Sequence, residues 1–551
     1  MAETLLSPGV LTRENDQSPV TQGPITAGAA VVGQTVKGPV NIPTLVTSYS
    51  SYISKFGGAF ISGGTTQEYL TSISAFNYFQ QGGASLLVTR VVNGAFSPAS
   101  SSAIVNNNIG ATSSSFTLET LSSGVIMNSS GAVGTNNALV SGSSDNLRFE
   151  IVGANTGSGT FSLVIRRGND NDKSKVVLES WNNVSLDPNQ PNYIEAVIGN
   201  QITNVSNGFV DVTGDYTNRS AYVRVKSVSN NTLNYFDNNG VPQSTLTGSI
   251  PTNQSGSFGS ATGTLSGVYN LPANDYTASL NLLANSDEFK YNVITMPGVT
   301  QESSSSAIAI LVTNTSNRGD AIAIIDLVNE SSTLATAVGK ASEIDNSYAA
   351  TYWPWVQVNA PQTGKLTFVP ASTIIPSVFA YNDRVSAPWF APAGFTRGAL
   401  SVIQAKRKLS PADKDTLYTS NINAIGTFPG QGVVAYGQKT LQKKASATDR
   451  INVRRLLIEL KGYVGQVANT LVFEQNSNAT RNRFLAQTNP YLESIKQREG
   501  LFAYKVVMDD TNNTADVIDR NQLVGQIFIQ PTRTAEFIIL DFNVTPTGAT
   551  F

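Results

Sequence analysis

The carboxy-terminal hundred residues, 449–551, constrain the fold most, because a helix pattern is followed there by strand patterns. Five apolar residues recur every three or four positions and predict one helical stripe: Leu456, Leu460, Val464, Val467 and Leu471. Just upstream, Ser446 and Asp449 have the spacing of a capping box, so we expect the helix to begin close to Asp449. The segment is predicted to form this long helix, a broken second helix and three strands.

The three predicted strands lie at the end of the segment. The β-rich runs 501–508 and 522–530 are separated by turn-forming residues at 509–514. In the third run, 536–545, apolar residues alternate with polar ones and fall on one face: Ile538, Leu540, Phe542 and Val544. Because a chain terminus frays unless something holds it, we predict that this last strand joins a sheet.

The amino-acid composition excludes much chemistry. The chain of 551 residues contains neither cysteine nor histidine, which excludes disulfides, thiolate and imidazole metal ligands, and histidine-dependent catalytic triads. Its 36 basic and 38 acidic residues nearly cancel, so no overall field draws it to nucleic acid or anionic lipid. Lacking both a membrane-length apolar run and a signal-peptide pattern at 1–9, it is expected to fold in a cytoplasm without membrane insertion.

No motif supports a cofactor, metal or catalytic site. The glycine–lysine pairs at Gly339 and Gly364 lack the rest of a phosphate-binding loop. Asp509, Asp510 and Asp519 have turn-forming neighbours, which favours loop residues over cation ligands. We therefore predict a protein that is not an enzyme and that carries no cofactor and no metal.

Changes in amino-acid composition and apolar patterning along the chain predict six segments. Residues 1–24 form an extended arm, 25–92 a strand, loop and helix region, and 93–285 a Ser-, Asn- and Gly-rich, mainly-β insertion. Within residues 286–400, the runs 291–296, 321–327, 349–358 and 366–369 are predicted strands, and the segments between the first three favour helices, which predicts an α/β layer with a partly parallel sheet. Residues 401–533 form a carboxy-terminal domain, and 534–551 a terminal strand or arm. The predicted fold class is a multidomain mixture of α/β and α+β.

Several segments resemble the tail sheath proteins of contractile-tailed bacteriophages. The carboxy-terminal sequences DRINVRRL, YKVVMDDTNNTADVIDRNQLVGQIFIQP and AEFIILDFNVT carry the resemblance, together with GPVNIPTLVTSYSSYISKFGG and FQQGGASLLVTRVV near the amino terminus. The resemblance covers 5–92 and 287–551 well and the middle in part. It implies inner α/β domains built from both chain ends, an outer mainly-β insertion and extended terminal arms.

The resemblance also implies a function and partners. A sheath subunit forms hexameric rings stacked helically around a tail tube, with baseplate and tail terminator or neck proteins at the ends. Its contraction drives the tube through the host envelope. The expected location is the virion tail, assembled in the bacterial host cytoplasm, without direct contact to nucleic acid. Neighbouring subunits exchange strands, a form of β-augmentation.

Two sets of residues become candidate contacts. Basic side chains near the helix start, Arg450, Arg454, Arg455 and Lys461, would ordinarily form a solvated helix face, whereas the resemblance implies that they contact the tail tube. The apolar face of the last strand, Ile538, Leu540, Phe542 and Val544, is the candidate for strand exchange between subunits.

Two alternative classes remain open from the sequence. A surface adhesin or capsid decoration protein would explain the Ser-, Asn- and Gly-rich region but not the helix and the α/β half. A hydrolase with a carboxylate pair needs no histidine, yet no pair here has a distinctive setting.

Overall fold

A computed structural model describes residues 25–62, 64–107, 114–206, 208–265, 267 and 271–537. The predicted arm at 1–24 therefore lies outside the described residues. The elements of the amino-terminal part are β1 (Ile25–Gly33), β2 (Thr44–Val46), α1 (Tyr49–Phe56), β3 (Ala59–Ser62), β4 (Thr65–Glu68), α2 (Leu70–Gln80) and β5 (Leu86–Arg90).

The middle of the chain is rich in strands. Its elements are β6 (Pro98–Ser101), β7 (Phe116–Ser123), β8 (Leu147–Asn155), β9 (Thr160–Arg167), β10 (Val177–Ser185), α3 (Ile194–Ile198), β11 (Ile202–Ser206), β12 (Phe209–Thr213), β13 (Val223–Val228), α4 (Ser244–Thr247) and β14 (Gln254–Gly259).

Strands and helices alternate in the third part. Its elements are α5 (Ala273–Leu283), β15 (Phe289–Thr300), α6 (Ser305–Arg318), β16 (Ile322–Asp326), α7 (Leu334–Ala341), β17 (Ala349–Trp353), β18 (Val356–Asn359), β19 (Leu366–Val369), α8 (Ile375–Val385), α9 (Gly394–Arg397), β20 (Gln404–Ala405), α10 (Pro411–Thr419), β21 (Asn423–Phe428) and β22 (Gly432–Tyr436). The last part contains α11 (Ile451–Asn469), α12 (Asn478–Gln497), β23 (Leu501–Val507), α13 (Ala515–Asp519) and β24 (Gln526–Pro531).

The largest sheet joins strands from both sides of the middle region. Its order is β2-β5-β1-β15-β16-β17-β21-β22. The pairings from β5 through β21 are parallel, and the outer pairs β2–β5 and β21–β22 are antiparallel. The predicted α/β layer with a partly parallel sheet is thus present, and β1 and β5 of the amino-terminal part belong to it.

Helices cover both faces of this eight-stranded sheet, which explains its nearly continuous apolar strands. Along β1, Ala30 and Val32 pack into one buried cluster, while Ala29 and Val31 pack into the other. Helices α5 and α6 cover the first face, whereas α1, α2 and α8 cover the second. All five residues of β16 are buried for the same reason.

The middle region forms its own seven-stranded sheet, in the order β10-β9-β8-β14-β6-β7-β13, with a separate apolar core. Its entry and exit are adjacent, because the amide of Ser97 donates to the carbonyl of Thr262 at 3.2 Å. The buried side chains of Arg148 and Arg166 share the carboxylate of Asp170, at 3.4 and 2.7 Å. The predicted mainly-β character of this region is confirmed.

Three details differ from the sequence predictions. Helix α5 lies inside the predicted insertion 93–285, yet its Tyr276 and Leu280 pack into the core of the eight-stranded sheet. The strand predicted over 349–358 is two strands, because Pro354 between them has no amide hydrogen to donate to a sheet. The predicted break in the second carboxy-terminal helix is wrong: α12 runs continuously through Pro490, and Phe484, Leu492 and Ile495 anchor it by burial.

Among the described residues, no helix is both long and apolar enough to cross a bilayer.

Candidate functional site: the carboxy-terminal interaction surface

Helix α11 is the scaffold of the candidate surface. It begins at Ile451, within two residues of the predicted start, and most of its predicted stripe is buried: Leu456, Leu460, Val467 and Leu471. The predicted capping box is wrong for this helix, because Ser446 caps a separate turn of 3₁₀-helix at 447–449. Arg450, in an extended conformation, takes the N-cap position of α11 without a side-chain cap.

Two of the four predicted tube-contact residues are buried in the chain. Arg454 is 7% exposed, donates to Ser347 Oγ at 2.5 Å and lies 4.1 Å from the ring centre of Tyr348. Arg455 is 4% exposed and forms a 2.5 Å ion pair with Asp383. Residues 451–456 are all buried, so the first turns of α11 have no solvated face. Direct contact of these two guanidinium groups with a partner is therefore not supported.

The other two predicted residues differ from this pair. Lys461 is exposed, and its Nζ donates to the Tyr348 hydroxyl at 3.3 Å. Arg450 keeps 24% of its side chain exposed and forms ion pairs within the chain, with Asp449 at 3.0 Å and with Glu536 at 2.7 Å. Burial lowers the pKa of Arg450, but Glu536 more than offsets this effect, so the net shift is upward.

The carboxylate of Glu536 is the centre of a hydrogen-bond cluster that sequence reasoning missed. Arg450 donates to both carboxylate oxygens, at 2.7 and 3.0 Å, in the bidentate geometry that makes such pairs strong. The Tyr418 hydroxyl and the Gln438 amide each donate at 3.0 Å. Burial raises the pKa of Glu536, but the hydrogen bonds from Arg450 and Gln438 outweigh it, so the pKa lies below its ordinary value.

Three separate elements position these donors around Glu536. Tyr418 lies near the end of α10, Gln438 follows β22, and Arg450 precedes α11. The ring of Phe537 packs edge-on against Tyr418 with centres 5.8 Å apart, although 74% of the phenylalanine remains exposed. The donors are between 86 and 118 residues from Glu536 in sequence, so no local motif signals the cluster.

The predicted strand-exchange residues, Ile538, Leu540, Phe542 and Val544, lie outside the described residues. The structure describes the chain as far as Phe537, so the cluster forms around Glu536, the first residue of the predicted strand 536–545.

The second feature of the surface is the two-stranded sheet of β23 and β24. These antiparallel strands confirm the predicted runs on either side of the turn at 509–514. In the described part of the chain they pair only with each other. One face packs on α11 and α12 through Tyr504 and Ile527. Two phenylalanines of this sheet remain largely exposed to solvent: Phe502 is 74% exposed and Phe528 is 56% exposed.

The acidic loop after β23 is structural in the described chain. Asp509 accepts hydrogen bonds from the amide and hydroxyl of Thr511, and Asp510 pairs with Arg481. No group of acidic side chains in the described ranges has the arrangement of a metal site.

Family models match two adjacent parts of the chain. Residues 271–441 match the phage tail sheath protein central domain, and residues 443–545 match the phage tail sheath C-terminal domain. The tail sheath protein of Vibrio phage KVP40 is 39% identical over 230 residues, which are 42% of this chain and 32% of that protein. The tail sheath protein of Enterobacteria phage T4 is 42% identical over 185 residues, covering 33% of this chain and 28% of that protein. The matches thus span about a third of the length of these relatives.

Two solved structures share the fold along nearly the whole chain. The helical sheath of the anti-feeding prophage in its contracted state has a TM-score of 0.51 at 16% identity, covering 98% of this chain and 99% of that one. A sheath tail protein from Listeria innocua has a TM-score of 0.53 at 11% identity, covering 89% and 90%. Together with the two adjacent domain matches, the mixed α/β fold and the curated relatives lead to one conclusion: this chain belongs to the contractile phage tail sheath family.

Proposed function

We propose that this protein is the repeating, non-enzymatic subunit of a contractile tail sheath in a virion tail. Copies form hexameric rings that stack helically around a tail tube, between a baseplate and a tail terminator or neck protein. Assembly takes place in the bacterial host cytoplasm, and contraction drives the tube through the host envelope. Membership of the sheath family supports this function, and a head-to-tail contact that does not close on itself produces such a helix.

The observation that carries the proposal is the open sheet of β23 and β24. Two strands alone are marginally stable, and their outer edges carry backbone donors and acceptors suited to pairing with another strand. Among the described residues, helices α11 and α12 pack against one face of this sheet, so a strand added at its edge does not displace them. The sheet is therefore the acceptor that we assign to strand exchange.

The donor that we assign is the alternating run of 536–545 from a neighbouring subunit. Its apolar residues, Ile538, Leu540, Phe542 and Val544, would each contribute roughly 1.5–3 kcal/mol on full burial, before the entropy of ordering is subtracted. Main-chain hydrogen bonds keep such a link intact while the bodies of the subunits rotate.

The tube contact that we propose includes fewer residues than the sequence predicted. It rests on Lys461, whose ammonium group is exposed, and no longer includes the buried Arg454 and Arg455. Reversal of Lys461 to Glu should weaken co-sedimentation with tail tubes at low salt, where exposed charges are least screened. Unchanged binding to tubes would remove Lys461 as well.

Truncation after Phe537 tests strand exchange most directly. The truncated protein keeps every described contact of Glu536 but lacks the four apolar residues of the donor run, so it should fold as a soluble subunit that does not polymerise. Circular dichroism measures folding, and electron microscopy with sedimentation measures polymer. The substitution Ile539→Pro should act similarly by removing a backbone donor, whereas Ile539→Val is the matched control. Normal sheaths from the truncated protein would overturn the proposed linkage.

A further inference from the structure

The cluster around Glu536 has a role that the family matches do not assign. Every strong donor near this carboxylate comes from the body of the subunit, and Glu536 lies five residues beyond Pro531, the last residue of β24. Its four hydrogen bonds use the full accepting capacity of a carboxylate. Such an arrangement holds the chain at one point, the first residue of the run assigned to strand exchange.

We propose that Arg450, Tyr418 and Gln438 form a clamp that fastens the root of the carboxy-terminal donor strand to its own subunit and thereby sets the direction in which it leaves. This inference rests on the proposed function, because a donor strand needs a fixed root only if it links subunits. The clamp consists of Glu536 and these three donors.

The position of the clamp explains how it would serve a link between subunits. The hydrogen-bonded pairing of β23 and β24 ends at Pro531, and between there and the clamp two further hydrogen bonds are described: the Thr532 amide donates to Gly500, and Gln438 Nε2 donates to Thr534 Oγ1 at 2.5 Å. With the clamp, the chain is fixed as far as Phe537. Because fixing a strand in its bound direction lowers the ordering cost of binding, the clamp pre-organises the donor.

The clamp also limits where the acceptor edge lies on the neighbour. Val544 is eight residues beyond Glu536, and an extended chain spans about 3.3 Å per residue, which gives roughly 26 Å. The acceptor edge of the neighbouring subunit therefore lies within that distance of Arg450. During contraction, a clamped root moves with the body of the donor subunit, so rotation of the body is transmitted to the neighbour through a short segment.

The local charges suit a clamp rather than a tube contact at Arg450. Its guanidinium group is already shared between Glu536 and Asp449 and also donates to the Tyr418 hydroxyl at 3.0 Å. Lys439 lies 3.7 Å from the ring centre of Tyr418, which places a second cation beside the cluster. Lys439 is held there by its hydrogen bond to the Tyr418 carbonyl at 2.8 Å, whereas Arg450 bonds directly to the carboxylate of Glu536.

The test uses the full-length protein with Glu536→Gln, Arg450→Gln and the double variant. The critical concentration for polymerisation, measured by light scattering, should rise about 3- to 10-fold in each single variant, the range for a partly exposed bidentate pair. The double variant should be no worse than either single one, because both substitutions remove the same contact. Glu330→Gln is the matched control, since it breaks the exposed pair with Lys406, remote from this surface in sequence.

A second measurement reports the clamp in the unassembled subunit. Arg533 is exposed, and trypsin cleavage there releases residues 534–551. Release should be several-fold faster in Glu536→Gln than in wild type or Glu330→Gln, with an unchanged Tm for the body of the subunit.

The outcomes separate the clamp from the proposed function. Unchanged cleavage and unchanged assembly in Glu536→Gln would overturn the clamp, as would faster cleavage with unchanged assembly, because the contact would then hold the chain without serving the link. If the chain truncated after Phe537 polymerises normally, the proposed strand exchange fails, whatever the cleavage rate. Loss of assembly in that truncated chain together with normal behaviour of Glu536→Gln leaves the function standing and removes the clamp alone.

Discussion

The eight-stranded sheet and the two-stranded sheet of β23 and β24 differ in how their faces and edges are covered. The large sheet has helices on both faces, and its edges are blocked: β2 is only three residues long, and β22 is covered by the backbone of 398–400. The amide of Leu400 donates to Val433 at 3.0 Å, and that of Ala435 to Gly398 at 2.8 Å. In the described chain, the small sheet has one covered face and no third strand. The chain thus completes one sheet itself and leaves pairing capacity in the other.

The side chains follow the same division. In β16 every residue is buried, as expected for a central parallel strand covered on both faces. In β24 exposed and half-buried residues alternate, as expected for a strand covered on one face. This difference indicates that the large sheet supplies most of the stability of the subunit, while the small sheet supplies an interaction surface. Three variants test that division.

The largest effect on stability is expected from the closed sheet. Ile324 in β16 is 0% exposed, so Ile324→Ala should lower the free energy of unfolding by about 2–5 kcal/mol through lost burial and a cavity. Urea unfolding measures this change. Ile403→Ala is the matched control, because the same side chain is 53% exposed there and should cost far less. Equal losses at the two positions would contradict the division.

A smaller, pH-dependent effect on the free energy of unfolding is expected from Asp326, at the end of β16. Burial raises the pKa of this carboxyl to about 7, although hydrogen bonds from Ser372 and from the Gly298 amide favour the charged form. Because the folded-state pKa lies above the unfolded value, this group stabilises the fold at low pH. That contribution is lost as the pH rises from about 4 to about 7, at no more than about 1.4 kcal/mol per pH unit.

The variant Asp326→Asn removes this titration and keeps a hydrogen-bonding side chain beside Ser372. The free energy of unfolding of the variant minus that of wild type should therefore increase from pH 4 to pH 7. Above pH 7 this difference should be constant. Urea unfolding at several pH values measures the difference, with the exposed Asp516→Asn as control. A constant difference between variant and wild type across this range would show that Asp326 is ionised throughout.

The smallest effect on stability is expected in the open sheet. Phe502 is 74% exposed, so Phe502→Thr, which keeps a strand-favouring residue, should change the free energy of unfolding by less than about 1 kcal/mol. Its critical concentration for polymerisation should nevertheless rise, because the ring lies beside the proposed acceptor edge. A strongly destabilised subunit, or unaltered polymerisation, would show that the open sheet is not the surface we assign.

Sequence patterns predicted the fold wherever periodicity is local. They located β15, β16, β19 and the start of α11 to within a few residues. They failed at Pro490, where tertiary packing keeps a helix continuous, and at Ser446, whose side chain caps a short turn rather than α11. The domain bounds remain a prediction, although α5 packs with the large sheet rather than with the insertion.

The candidate site was predictable only in part. The sequence singled out Arg450, Arg454, Arg455 and Lys461 as one basic cluster, but the structure divides them into two buried residues, one residue paired with Glu536 and one exposed residue. Their burial differs because their partners Ser347, Asp383 and Glu536 come from distant parts of the chain. Helical spacing gives the direction of a side chain around its own helix but not what lies opposite.

By itself the sequence determined the mixed architecture, the apolar–polar alternation at 536–545 and the lack of cysteine and histidine chemistry, since each follows from residue identity and local period. Only the tertiary structure decided that β1, β5 and β15 share one sheet, that β23 and β24 pair with each other, and that Glu536 meets Arg450. These outcomes depend on contacts between residues far apart in sequence, which form only when the whole chain buries its apolar faces.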